Sequence, residues 1–236
     1  MAKESVSSYS KVSQLIDTGL RVYMRRVFSY MSSGLGMTAL VAYFTSQSEG
    51  FMRLLFSSPV IYWTVLLAPL AVSLYLIGKI SSIQASTART LFFVYSALIG
   101  LSLSSIFLVY SPESIAITFF VTASMFLSMV IYGYTTEKDL TSYGSFLFMW
   151  LIGLIIASVV NLFMQSGVTS LVISAMGVII FTGLTAYDAQ TIKSYYLESD
   201  STEMSEKKAV FGALNLYLDF INLFLYLLRF LGNSRR

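Results

Sequence analysis

The sequence predicts an all-α integral membrane protein with seven transmembrane helices, and three observations carry the prediction. Hydrophobic residues fill 56% of the 236 positions and charged residues 11%, which leaves too little polar surface to coat a soluble globule of this size. Seven runs of about 18 to 22 apolar residues recur along the chain, each long enough for a hydrocarbon core of about 30 Å. Connections such as Ser111 to Glu113 and Gln165 to Gly167 are so short that the helices they join must be antiparallel neighbours.

The first run, Val27 to Phe44, follows a 26-residue tail of mixed charge and serine, expected to be a mobile or interfacial cytoplasmic segment. This run is too long and too polar-flanked for a cleaved secretory signal, so it is expected to stay in the mature protein. The second run, Pro59 to Gly78, stops beside Lys79. The third, Thr90 to Tyr110, carries Ser102, Ser104 and Ser105, and the fifth, Tyr143 to Met164, carries Asn161; these are expected to bond between helices. The fourth is Ser114 to Tyr134, the sixth Val168 to Tyr187 and the seventh Ala209 to Leu228. The stretch Glu198 to Lys208 between the last two is expected to be a solvated charged turn. The eighteen Phe and sixteen Tyr residues read mostly as lipid-facing or interfacial bulk. The division expected is a tail over 1–26, one seven-helix domain over 27–231 and a short tail over 232–236.

With the N-terminus inside, eleven Lys and Arg residues, from Lys3 to Lys208, fall on the cytoplasmic side, and Arg53, Arg229, Arg235 and Arg236 fall on the other. That asymmetry predicts a cytoplasmic N-terminus. The net charge of +3 therefore reports orientation rather than a nucleic-acid partner; the expected partner is the bilayer. The chain has no cysteine and no histidine, which excludes disulfides, thiolate sites and imidazole chemistry, so any metal must be bound by oxygen.

Asp219 lies ten residues into the last run. A charge at mid-membrane costs about 2.5 to 3.5 kcal/mol on insertion scales, so such a carboxylate is read as a functional group facing a polar interior. Asn215, Asp219, Asn222, Tyr226 and Arg229 are spaced 4, 3, 4 and 3, which places them on one helix face. That face either lines a water-accessible path or packs on other polar helices. The sixth run ends in a related stripe, Thr182, Thr185 and Asp188. Both aspartates approach the same leaflet, and a tilt or break at Gly177 or Gly183 would let them meet. Lys79 is either a snorkelling anchor or a cationic partner for one of them.

Two segments carry a family resemblance: GLTAYDAQTIK, Gly183 to Lys193, and LNLYLDFINLFLYLLRFLG, Leu214 to Gly232. They resemble the transmembrane Bax inhibitor motif family, specifically its bacterial members. The resemblance implies six helices around a central seventh and a pH-sensitive calcium leak, with Asp188 and Asp219 as the paired aspartates. It also implies a basic latch near the cytoplasmic end of the second helix. Lys79 is the nearest match; the bacterial form has arginine there, and a lysine cannot form the bidentate fork.

On this reading Asp188, Asp219 and Lys79 sense pH and gate, Thr185, Asn215 and Asn222 line the path, and the two aspartates touch calcium in transit with no resident cofactor. Two carboxylates alone make a wet, weak site for an ion that takes about six to eight oxygens. Brought within a few Å, they titrate as a pair rather than singly. The expected place is a bacterial inner membrane, and the flux is that of a channel or of a cation/proton exchanger. A non-conducting modulator or scaffold is the alternative. An intramembrane aspartyl protease is a further one, but Asp219 stands in YLDF without the GxGD context of such enzymes, so no enzymatic activity is expected.

Overall fold

The computed structural model describes residues 2–233, with side chains from Thr18 onward. Arg235 and Arg236, counted above for orientation, lie outside the described residues, as do the side chains of Lys3 and Lys11. Among the described residues the chain forms helices only: α1 (Ala2–Ser46), α2 (Glu49–Ser57), α3 (Pro59–Lys79), α4 (Ala85–Leu103), α5 (Ile106–Val109), α6 (Pro112–Thr135), α7 (Thr141–Met164), α8 (Gly167–Ser194) and α9 (Thr202–Leu231). Seven segments are long and apolar enough to cross a membrane: α1 from Thr18, α3, α4 together with α5, α6, α7, α8 and α9.

Serine punctuates these helices. Ser48, Ser58, Ser111, Ser166 and Ser201 each accept a backbone N–H of the first turn that follows, and Pro59 and Pro112 open α3 and α6, where a missing N–H costs nothing. α4 begins without a cap of its own; the carboxylate of Glu203 on α9 accepts the Ala85 N–H at 3.0 Å instead. α7 ends at Gln165 with φ 51°, a left-handed residue that turns the chain tightly into α8. Asn161 accepts the Ser166 N–H at 3.3 Å, so it braces this turn instead of bonding between helices. Ser102 does bond between helices, donating to the Val65 carbonyl at 2.8 Å; Ser104 donates to its own turn and also reaches Met52 Sδ of α2 at 4.0 Å, whereas Ser105 donates to its own turn alone.

The last helix is the core. Of the α9 span 67% is buried, against 6% to 33% for the other six, and this difference marks it as central. It packs against α8, α1, α6 and α4, while α3 leans mainly on α4 and α7 on α8. Aromatic residues fill much of the interior: Tyr23, Phe92, Tyr95, Phe126, Tyr217 and Phe220 are all buried. The expectation of lipid-facing aromatic bulk fails for these, because ring area buried between helices replaces lipid contacts with equally apolar, better-packed ones.

Two boundaries differ from the sequence reading. α1 is helical from Ala2 and runs unbroken into the first span, whose membrane-crossing part begins at Thr18. The charged stretch up to Lys208 is not a solvated turn: the turn ends at Ser201, and four of its charged residues sit in the first turns of α9, pointed at neighbouring elements. Glu203 caps α4, and Glu206 accepts the Tyr30 hydroxyl at 3.0 Å and pairs with Arg89 at 3.2 Å. Lys207, buried, donates to the carbonyls of Ser81 and Ile83, and Lys208 pairs with Asp200 at 2.6 Å. The result is a clasp joining α9 to α1, to α4 and to the loop between α3 and α4.

Candidate functional site

The site follows from how α8 and α9 are registered. Gly177 lies under the Tyr226 ring, where a methyl would come within 2.6 Å of a ring carbon, and Gly212 faces Ile192, where a methyl would stand 2.9 Å from Cγ2. In an antiparallel pair these two contacts put Asp188 level with position 216 and Asp219 level with position 185. The axial offset is three residues, about 4.5 Å. Helical side chains lean toward the N-terminus of their own helix, and in antiparallel helices that tilts the two carboxylates toward each other.

Across the α8–α9 seam the carboxyl groups of Asp188 and Asp219 are near enough for each to act on the other. α8 is continuous from Gly167 to Ser194, so neither Gly177 nor Gly183 breaks it to bring this about. Both glycines instead admit a neighbouring side chain, Tyr226 and Leu147. Asp219 is 5% exposed, and its Oδ2 receives no hydrogen bond from any N–H or hydroxyl among the described residues. A bond between two carboxyls exists only when one of them carries a proton. Asp188 is partly exposed, on the last turns of α8 before the chain passes into α9. Its charge reaches Tyr195, just beyond α8, whose phenol is raised above its ordinary value first by burial and then by Asp188 and Tyr187.

The other expected members take different places. Asn215 and Asn222 lie with Phe211, Leu218 and Leu225 on the one half-exposed stripe of α9, while Asp219 turns inward beside it. Asn222 donates to the Leu218 carbonyl of its own helix at 2.8 Å. Thr185 is fully buried, and its hydroxyl donates to Phe181 at 2.7 Å, again within its own helix. Lys79 is exposed at the end of α3 and forms no ion pair with either aspartate among the described residues. No cluster of three or more metal-ligating carboxylates forms among the described residues.

A second polar group at the core went unread in the sequence. The Tyr217 hydroxyl, fully buried two residues before Asp219, bonds the Thr38 hydroxyl, and Thr38 reaches the carbonyls of Ser96 at 2.8 Å and Gly34 at 3.0 Å. The Phe92 and Tyr95 rings stand edge-on to the Tyr217 ring. This network ties α9 to α1 and α4 on the side away from α8. Its one signal in the sequence is a tyrosine in the middle of the last apolar run.

Comparison with known proteins gives a consistent picture. The family profile described as "Inhibitor of apoptosis-promoting Bax1" matches residues 20–236. The chain is 47% identical over 219 residues to the inner membrane protein YbhL of Escherichia coli K12, covering 92% of this chain and 94% of that one. A protein of Borreliella burgdorferi is 48% identical over 214 residues, covering 90% and 92%, and one of Rickettsia prowazekii is 47% identical over 220 residues, covering 93% and 92%.

Proposed function

The chain belongs to the Bax inhibitor family of membrane proteins, and from that premise we propose that it is a pH-sensitive calcium leak of a bacterial inner membrane, gated by Asp188 and Asp219, with its N-terminus in the cytoplasm. The observation that carries the reading is the register of α8 on α9, fixed by Gly177 under Tyr226 and Gly212 against Ile192, which sets two carboxyls of adjacent helices against each other inside the bundle. Two full negative charges brought within about 4 Å would repel by about 4 kcal/mol even at an effective dielectric of about 20. A single shared proton removes that repulsion and pins α8 to α9. When the proton leaves, the pair offers four carboxylate oxygens to a cation.

Calcium is the cargo and not a resident ion. Two carboxylates supply fewer oxygens than the six to eight it takes, so water and neighbouring carbonyls complete its shell and it passes without being trapped. Asn215 and Asn222 on the half-exposed stripe of α9 line the approach, with Thr185 behind the pair. Lys79 is the countercharge delivered when α3 moves; the support for this is that α3 leans on α4 and not on the core helix. Protons and calcium compete for the same oxygens, so calcium binding weakens as pH falls.

Calcium flux into proteoliposomes, recorded at several pH values for wild type, Asp188→Asn and Asp219→Asn, tests the proposal. Each amide keeps the shape and abolishes the shared proton. Both variants are expected to stay folded, to lose calcium affinity by an order of magnitude or more, and to flatten the pH profile. Wild-type profiles in both variants refute the carboxylate gate. A wild-type protein that passes no calcium at any pH returns the function to a modulator of other membrane proteins.

A further inference from the structure

Among the described residues, crevices open between the outer helices. One of about 460 Å³ between α7 and α8 and one of about 410 Å³ between α1 and α6 have apolar and aromatic walls, with Ser32 as the exception. The third, about 290 Å³, lies where α6 and α7 each pack on α8 and splay from one another. Its mouth is polar: Tyr132, Lys138 and Tyr143 surround it at the loop between α6 and α7. Leu147 forms a wall and lies over Gly183, which with Ala186 of α8 makes the floor.

The charge at the mouth is uncommitted. Lys138 is exposed, and its ammonium has no ion pair among the described residues. The carboxylate of Asp139 is turned onto the Thr141 N–H at 2.9 Å, a bond that together with the Thr141 hydroxyl holds it below the ordinary carboxylate range. Glu137 is exposed on the same loop. Tyr132 and Tyr143 are 44% and 64% exposed, placing amphipathic rings where the membrane interface meets the crevice. A polar opening whose charged wall residue is Lys138, above an apolar slot, matches one kind of molecule.

We propose that this crevice holds a glycerophospholipid as a site-bound ligand, its phosphate against Lys138 and the two tyrosine hydroxyls and an acyl chain along Met129 and Leu147. Tyr187 also borders the crevice and precedes Asp188. The bound lipid therefore braces the turn of α8 that presents Asp188, and its binding is measured without reference to calcium.

The test uses the full chain in nanodiscs with two photoreactive probes, a phosphatidylglycerol and a diacylglycerol carrying the same diazirine acyl chain, and maps the labelled peptides. Labelling by the phospholipid is expected to concentrate on the peptides around Leu147 and Gly183. Lys138→Gln, a loop substitution that leaves the fold alone, lowers that labelling about fivefold while diacylglycerol labelling stays constant. Leu147→Trp, which fills the slot, removes labelling by both probes there and leaves the 460 Å³ crevice labelled as before. Equal labelling of all three crevices, no response to Lys138→Gln, or a second copy of the chain cross-linked into the slot each overturns the proposal.

Discussion

Gly133→Ala on α6 carries the most informative consequence of the packing. α6 and α8 cross where Gly133 meets the backbone of Ala186: a methyl there would stand 2.8 Å from the Ala186 carbonyl carbon, 3.0 Å from its Cα and closer still to its oxygen, whereas ordinary contact begins at 3.4 Å. The obstacle is backbone on both helices, so no rotamer relieves it. The helices must part by about 1 Å, which overpacking data put at about 1 to 3 kcal/mol. Against this, alanine is favoured over glycine in a helix by about 1 kcal/mol. The net loss is therefore up to about 2 kcal/mol. Ala186 is two residues before Asp188, so the same displacement shifts Asp188 away from Asp219. Gly153→Ala on α7 is the matched control, because nothing lies within 4 Å of a methyl there, and it is expected to be neutral or mildly stabilising. Thermal unfolding in detergent should show Gly133→Ala melting below wild type and Gly153→Ala at or above it, with the pH profile of calcium flux altered in the first alone. Equal melting of the two variants would refute the crossing at Gly133.

The Tyr217 network predicts an asymmetry. Tyr217→Phe leaves Thr38 bonded to two carbonyls and should cost about 1 kcal/mol, whereas Thr38→Val strands a buried phenol and should cost up to about 3 kcal/mol; in thermal unfolding the double variant should lose less than the sum. An additive double variant would show that the two hydroxyls act independently. At the clasp, Lys207→Met removes the ammonium that holds the Ser81 and Ile83 carbonyls, and hydrogen exchange at Ser82 and Ile83 should accelerate while the amides of the buried centre of α9 keep their protection. Unchanged exchange there would mean that the loop is held by its own bonds to Lys79, 2.9 and 3.1 Å long.

The sequence by itself determined the number and order of the spans, though not their ends. A hydrocarbon core demands about 20 apolar residues whose backbone bonds are satisfied within the helix, and that demand is written in composition. It also singled out Asp188 and Asp219, because a carboxylate among apolar residues is costly wherever its helix is placed. What it left open was partnership. In a bilayer, lipid tails are as apolar as leucine, so hydrophobic periodicity does not say which face of a span is inside or which helix is central. Close approach decides those questions: Gly177 under Tyr226 and Gly212 against Ile192 set the register of α8 on α9, and the register brings the two carboxylates together without a break in either helix. Tertiary structure likewise buried Lys207 while leaving Lys79 outside, and took Tyr217 into the core. In each case the deciding quantity was a contact between residues far apart in the chain, for which local spacing carries no record.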